Sequence, residues 1–274
     1  MKHNFNISNK ASTKEVSVFQ DIEKNSDSNM WINKIAVLWN NAQSRHKGKL
    51  RLKHKDDGSF WTFAWKITSW IVFLFTFGKG MDMLRNYTTF GRYIFIPAGD
   101  HFVNLKTSKQ WSLLAHEIAH VDHMYFYDAD AQDFRNASAL RRTWWQTLLL
   151  PFWLTVFSLG YLLIPLPIFF SPFRAWVEYY GFKRSLMRLI IEDLALRLKM
   201  VDNGLKNENL AMIRDLKPSS YKGNYERFFY DWTYGKMLPK AMAQKWVAEM
   251  EEEAVLACRK SKHAHDIFLL SKEM

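Results

Sequence analysis

Residues 116–120 read His-Glu-Ile-Ala-His, and this stretch gives the clearest indication of chemistry in the chain. On an α-helix, two histidines spaced by four residues lie on one face about one turn apart, so both imidazoles can reach one zinc ion. The glutamate of an H-E-x-x-H pattern is not a ligand, because it takes a proton from the metal-bound water that attacks a substrate carbonyl. The spacing therefore predicts His116 and His120 as Zn²⁺ ligands, Glu117 as the general base, and hydrolysis, most often of a peptide bond, as the reaction.

A catalytic zinc site usually has three protein ligands and one open position, so a third ligand is needed. His123 is close in sequence, but it is displaced from His116 by about 10 Å along a straight helix. We therefore expect His123 to support the site or to face solvent rather than to bind the ion. The longer pattern H-E-x-x-H-x-x-G-x-x-H is excluded, because Phe126 stands where its third histidine would be.

Glu178 is the stronger candidate for the third ligand. Ser171 can cap a helix N-terminus and Pro172 suits the first helical position, which places Glu178 in the second turn of a new helix. A carboxylate is a ligand that zinc accepts together with two histidines. The alternative interpretation of Glu178 is an ion pair with Arg174, four residues earlier, on a helix surface.

Two elements must position the H-E-x-x-H stretch. Ser108 is the predicted N-cap of a helix that contains the whole motif. Before this helix, Tyr87–Ile96 is rich in β-branched and aromatic residues and stops at Pro97, which predicts a strand. We expect that strand to hold an extended peptide by edge pairing. The predicted buried face of the helix has roughly helical spacing and consists of Trp111, Leu114, Ala115, Ile118, Ala119 and Val121.

An H-E-x-x-H helix, an apolar stretch and then a helix of the form R-A-x-x-E, here Arg174 to Glu178, resembles the glutamate-type zincins. Among these it is most similar to metallopeptidases encoded by bacteriophages and bacteria, and the likeness covers roughly residues 87–190. Related membrane peptidases often have an aspartate or asparagine where this chain has Phe182, so support for the third ligand from that position is missing. The resemblance implies Glu117 as general base and three Zn²⁺ ligands: His116, His120 and Glu178.

Composition indicates the surroundings of the protein. The 274 residues carry a formal net charge of +11, which favours anionic surroundings such as phospholipid headgroups or nucleic acid. The 16% aromatic residues, including twelve tryptophans, favour interfaces or a membrane surface. No nucleic-acid-binding motif accompanies the charge, so we do not expect nucleic acid as the partner. Cys258 is the single cysteine and cannot form an intrachain disulfide. The polar N-terminus has no secretory signal, and we expect a cytoplasmic or membrane-associated protein.

Residues 143–173 form a run of 31 residues without Asp, Glu, Lys or Arg. A single membrane crossing would put His116 and Glu178 on opposite sides, where they could not bind one ion. Two full crossings need about 40 apolar residues, more than the segment contains. We therefore predict a helical hairpin that returns to its own side, either dipping into a membrane or buried in a soluble core.

The remaining segments complete the predicted organisation. Residues 1–29 are expected to be a flexible tail, followed by a single domain over residues 30–274. Met30–Gln43 predicts an amphipathic helix, and the basic stretch 45–55 predicts a solvated loop. Phe60–Phe77 is strongly apolar and predicts either a strand and helix of the core or a membrane-contacting segment.

Together these patterns predict an α+β fold: a mostly helical, zincin-like domain with a small sheet and an apolar hairpin between the two ligand helices. The predicted function is that of a zinc-dependent metallopeptidase acting on a peptide or protein substrate. Two other classes stay open, a non-catalytic membrane-associated or virion structural protein with the same fold, and a basic nucleic-acid binder supported by charge alone. Candidates for further stabilisation of an oxyanion are Tyr179, Tyr180, His101 and Arg174.

Overall fold

The computed structural model describes residues 5, 13–24, 29–58, 60–75, 84–97, 99, 102–125, 149, 152–153, 172–200, 225–231 and 237–260. The helices are α1 (Thr13–Lys24), α2 (Asn29–Arg45), α3 (Phe60–Phe75), α4 (Thr107–Met124), α5 (Pro172–Met200), α6 (Tyr225–Tyr230) and α7 (Lys240–Lys260). The strands are β1 (Arg51–His54), β2 (Thr88–Phe90) and β3 (Tyr93–Ile96). For this part of the chain, the prediction of a mostly helical protein with a small sheet is confirmed.

Strand β3 is the central strand of the sheet. β1 pairs parallel to it, with Arg51 opposite Tyr93, and β2 pairs antiparallel to it on the other side. β2 and β3 are joined by a turn at Gly91, whose φ of 58° lies in the left-handed region that glycine adopts without strain. The prediction of one continuous strand over Tyr87–Ile96 is therefore wrong, because the chain reverses direction after Phe90.

The basic stretch 45–55, predicted as a solvated loop, instead contributes strand β1 and several buried contacts. Leu52 stands between charged neighbours and is fully buried. Lys55 is also buried: its Nζ donates to the Asn86 carbonyl at 2.6 Å and lies 4.4 Å from the centre of the Trp65 ring. Alternation between the two faces of a short strand explains why this stretch lacks helical periodicity.

The sheet separates two layers of helices. On one side α3 packs against the sheet, and the rings of Trp61 and Trp65 each lie 5.1 Å from the ring of Phe95. The opposite face belongs to the main core, which also contains residues of α2 and α4. The side chains that the sheet contributes to this core are Leu52, Ile94 and Ile96.

The prediction that residues 1–29 are a flexible tail is wrong for Thr13–Lys24, which form helix α1. Phe19 and Ile22, three residues apart on one helix face, are almost completely buried. The Phe19 ring lies 4.9 Å from the Trp39 ring on α2. The polar residues around this short apolar stripe concealed it in the sequence. The amphipathic helix predicted over Met30–Gln43 is confirmed by α2, which buries one of its faces.

Helices α4 and α5, which carry the motif residues, pack extensively against each other. α5 begins at Pro172, as predicted. α4 begins at Thr107 and is preceded by Lys106, whose side chain makes no capping hydrogen bond. The prediction of Ser108 as the N-cap is therefore wrong, and Ser108 lies buried within the first turn.

Most of the predicted apolar hairpin over 143–173 lies outside the described residues. Of this segment the structure describes Leu149, Phe152, Trp153 and the start of α5, so the hairpin stays a prediction. None of the helices in the described ranges is both long enough and apolar enough to cross a bilayer.

Candidate metal centre

Helices α4 and α5 bring two imidazoles and one carboxylate together. His116 and His120 lie on one face of α4, and their Nε2 atoms are 3.0 Å apart. Glu178 on α5 faces them, with Oε2 3.1 Å from Nε2 of His116 and 3.6 Å from Nε2 of His120. The structure thus assembles the three residues that the sequence predicted as metal ligands, and Glu178 is buried between the helices.

The three facing atoms have the spacing that a tetrahedral metal site requires. With zinc–ligand bonds of about 2.05 Å, neighbouring ligand atoms of a tetrahedron lie roughly 3.3 Å apart. The observed separations of 3.0, 3.1 and 3.6 Å bracket that value. The group can therefore hold a metal ion without a rearrangement of either helix.

Burial and mutual contact set the electrostatics of the group. His116, His120 and Glu178 are 9%, 4% and 7% exposed. Burial would raise the pKa of Glu178, but hydrogen bonds from both imidazoles hold this pKa well below its usual range. Burial would lower the pKa of His116, but the hydrogen bond with Glu178 and the charge of that carboxylate raise it. Glu178 is therefore ionised at neutral pH and supplies negative charge for a divalent cation.

Gly181 on α5 provides the surface on which the His116 ring lies. A Cβ atom at this position would be 2.6 Å from both Cε1 and Nδ1 of His116, inside the 3.0 Å limit that real Cβ contacts keep. A hydrogen bond with the Gly181 backbone raises the pKa of His116, so the backbone partner accepts and the ring donates. The close contact with Gly181 holds the ring in the orientation in which Nε2 faces the other two groups.

Glu117 lies beside the three facing groups but outside them. Its side chain is buried, and Oε2 accepts a hydrogen bond of 2.6 Å from the Thr89 hydroxyl on strand β2. Tyr87, just before this strand, is close enough that burial and the Glu117 charge raise its pKa. Strand β2 therefore orients the carboxylate that the sequence assigned as general base.

A buried ionic cluster behind the site fixes α4 between α2 and α5. Asp122 on α4 accepts hydrogen bonds from Arg45 at 3.0 and 3.1 Å and lies 3.0 Å from Nε2 of His46. Arg184 on α5 lies 3.5 Å from the same carboxylate and donates to the Ala115 carbonyl on α4. These contacts set both the rotation of α4 and the position of α5 along it.

Two further residues singled out from the sequence pack around the site. His123 is partly buried, stacks on the Trp176 ring at 5.0 Å and meets the Tyr180 ring edge-on at 4.3 Å. It is not among the three facing groups. Phe182 packs against the His116 ring at 4.9 Å, so this position makes an apolar contact with the site.

The candidates for oxyanion stabilisation lie in different places. Tyr179 contacts α7, where its ring lies 5.8 Å from the Trp246 ring. Burial and the neighbouring Glu253 carboxylate raise the pKa of Tyr179. Tyr180 contacts the ring of His123 on α4. Arg174 is partly buried near the start of α5, and His101 lies outside the described residues.

Three positioning residues were not recognised from the sequence: Thr89, Gly181 and Arg184. Gly181 carried a signal, because a glycine in a helix interior costs about 1 kcal/mol relative to alanine and indicates a close packing contact. Thr89 and Arg184 carried none, since their contacts with α4 depend on how distant segments meet.

Comparison with protein-family models, with characterised proteins and with solved structures finds no match for this chain. Its chemistry is therefore inferred from the site itself.

Proposed function

We propose that this protein is a zinc-dependent peptidase that uses Glu117 as its general base. The observation that carries the proposal is the convergence of His116, His120 and Glu178 at separations of 3.0 to 3.6 Å, with the Glu117 carboxylate outside the group. Three protein ligands with one open coordination position are typical of catalytic zinc sites, whereas four protein ligands close a structural site.

The donor set favours zinc among the divalent cations. Two imidazole nitrogens and one carboxylate oxygen suit Zn²⁺, whereas Mg²⁺ and Ca²⁺ prefer sites made of oxygen atoms. When bound, zinc would supply Lewis acidity and lower the pKa of a coordinated water toward neutrality. The ionised Glu178 carboxylate offsets part of the positive charge of such an ion.

Glu117 has the position expected of a group that transfers protons. Thr89 holds its Oε2 atom, so we assign Oε1 as the atom that accepts a proton from the attacking water. The same oxygen can then give that proton to the leaving amine. Because Glu117 is buried, bulk water has little opportunity to exchange protons with it during this transfer.

An extended peptide is the substrate that the surroundings favour. Strand β2 is an outer strand of the three-stranded sheet, and it also contacts Glu117 through Thr89. A peptide added alongside β2 by main-chain hydrogen bonds would therefore run close to the general base. Within Tyr87–Ile96, the stretch for which edge pairing was expected, β2 is the outer strand, because β3 is already paired on both sides.

Metal content tests the three-ligand site. Purified wild-type protein should contain about one zinc per chain by elemental mass spectrometry, and His116→Ala, His120→Ala and Glu178→Ala should lose zinc or bind it more weakly. His123→Ala is the matched control, because it removes a partly buried imidazole from the same helix outside the three facing groups, and it should retain zinc. Stoichiometric zinc in the double variant His116→Ala/His120→Ala would refute the site.

Peptide cleavage distinguishes a peptidase from a non-catalytic protein. Glu117→Gln should retain zinc, whereas cleavage of casein or of a peptide library should fall by roughly 100-fold or more, because the general base is lost. A zinc-loaded wild-type chain that cleaves no peptide would instead favour the alternative, a non-catalytic membrane-associated or virion structural protein that retains the metal site.

A further inference from the structure

Helix α3 presents an apolar face to solvent. Among the described residues, six of the twelve large hydrophobic side chains that are exposed belong to this one helix. Five of the six follow one another at alternating spacings of three and four residues, which aligns them along one side of the helix. We refer to this face as the α3 stripe; it consists of Phe60 (74% exposed), Phe63 (61%), Ile67 (41%), Trp70 (63%), Phe73 (57%) and Leu74 (49%).

The opposite side of α3 packs on the sheet. Trp61 and Trp65 each lie 5.1 Å from the Phe95 ring of the sheet, and Thr62 and Thr68 are partly buried. The Thr68 hydroxyl donates to the Ala64 carbonyl at 2.9 Å within the helix. Helix α3 is therefore apolar on both its covered and its exposed side, whereas a surface helix in water usually has polar residues on the side opposite its buried face. A contiguous exposed stripe of this kind indicates a surface that meets an apolar partner.

The charges around the α3 stripe match an anionic surface. The helix contains no acidic residue, and its single charged side chain, Lys66, is exposed. Arg51 and Lys53 on β1 are on the sheet face that carries α3, because their register partners on β3 are the residues that Trp61 contacts. The acidic residues just before α3 accept local hydrogen bonds, Asp56 from the Gly99 N–H and Asp57 from the Thr62 hydroxyl.

We propose that the α3 stripe docks the protein onto the surface of an anionic phospholipid bilayer. The 16 residues of α3 extend roughly 24 Å at about 1.5 Å per residue, which is shorter than the ~30 Å hydrocarbon core, so the helix lies along the surface. Trp70 then occupies the interface that tryptophan prefers, and Lys66 reaches the lipid phosphates. The net charge of +11 adds longer-range attraction.

A second copy of the chain matches this surface less well than lipid does. A symmetric contact through the α3 stripe would bring Lys66 and its basic neighbours on β1 from both copies into one interface. Like charges brought together at an interface oppose association, whereas lipid phosphates neutralise them.

Cosedimentation of the full chain with vesicles tests the proposal. Wild-type protein should bind phosphatidylcholine vesicles that contain about 30% phosphatidylglycerol more tightly than vesicles of phosphatidylcholine alone, and added salt should weaken binding. Phe63→Gln/Trp70→Gln should bind at least about tenfold more weakly. The matched control Met242→Gln/Leu256→Gln removes two exposed apolar side chains from α7 and should bind as the wild type does. Circular dichroism should show the same helix content in all variants.

A probe on the stripe distinguishes α3 from other lipid-binding segments. In a Cys258→Ser background, an environment-sensitive dye on Phe63→Cys should shift to shorter wavelength with vesicles, whereas the dye on Met242→Cys should not. Vesicle binding that survives in Phe63→Gln/Trp70→Gln, or that is lost only in Leu149→Gln/Phe152→Gln, would overturn the proposal. A wild-type dimer that dissociates in the stripe variant, without any vesicle binding, would assign the stripe to a second copy and would also overturn it.

Discussion

Replacement of Gly181 by alanine should disrupt the metal site while leaving the helix intact. The added Cβ would lie 2.6 Å from Cε1 and Nδ1 of His116, whereas ordinary van der Waals contacts begin near 3.4 Å. The ring would have to move by about 0.8 Å, but zinc–nitrogen bonds tolerate deviations of only about 0.2 Å. The ring cannot turn aside without loss of its contacts, because it is buried and faces both His120 and Glu178.

We expect the zinc affinity of Gly181→Ala to fall by about 100-fold, at the upper end of the effect of removing a contact that orients a ligand. The intrinsic effect on the helix has the opposite sign, since alanine is favoured over glycine in a helix interior by about 1 kcal/mol. Competition with a fluorescent zinc chelator measures the affinity. Urea unfolding of the metal-free chain measures the stability, so the two effects can be separated.

The control for Gly181→Ala is the same substitution in a His116→Ala background. That background removes the ring that the new Cβ would meet, so Gly181→Ala should there stabilise the chain by up to about 1 kcal/mol. Wild-type zinc affinity in the single variant would refute the packing argument. An equal loss of stability in both backgrounds would show that the close contact with His116 is not the cause.

Thr89→Val should retain zinc but lower the turnover number by roughly tenfold, because it removes the hydrogen bond that orients Glu117; unchanged turnover would mean that β2 does not orient the base. Burial, with the charge of a neighbouring imidazole, lowers the pKa of His123 from 6.5 to about 3, so the unfolded chain takes up a proton below 6.5 and the folded chain does not. Stability should therefore decrease as the pH decreases below 6.5. Thermal unfolding of the metal-free chain at about pH 7 and about pH 4.5 should show a smaller loss of stability for His123→Gln than for the wild type; equal losses would contradict a buried neutral ring. Asp122→Asn should lower the free energy of unfolding by about 3 kcal/mol in urea, because Arg45 and Arg184 lose their buried counter-charge, and a loss under about 0.5 kcal/mol would show that the cluster does not stabilise the fold.

The two helices that carry the candidate metal ligands could be predicted because their signals are local. A spacing of four residues puts His116 and His120 on one helix face, and a proline at the first helical position sets the start of the helix that bears Glu178. Which face of α5 meets α4 is a different matter, since it depends on contacts such as that of Arg184 with a carbonyl 69 residues earlier. No local pattern encodes a contact of that range.

The errors of sequence reading concern short elements. Strands of three and four residues contain too few alternations to separate a hairpin from one continuous strand, and the glycine at position 91 was the turn signal that Tyr87–Ile96 contained. Strand β1 was concealed by Arg51 and Lys53, whose place on one face of the sheet became clear only from the pairing with β3. The buried face of α1 is a short apolar stripe in a polar helix, and its partners lie on α2 and the sheet.

The burial of His116, His120 and Glu178 is hard to explain by stability alone. Apolar side chains of similar volume in place of a buried ionic group often make a fold equally stable or more stable. Helix α4 already has a fully buried apolar face, which includes Ile118 and Val121, so packing does not require the polar one. A divalent cation would satisfy all three donor atoms at once, and their separations of 3.0 to 3.6 Å suit such an ion without further movement. A bound metal ion would therefore account for a polar cluster that core packing leaves unexplained.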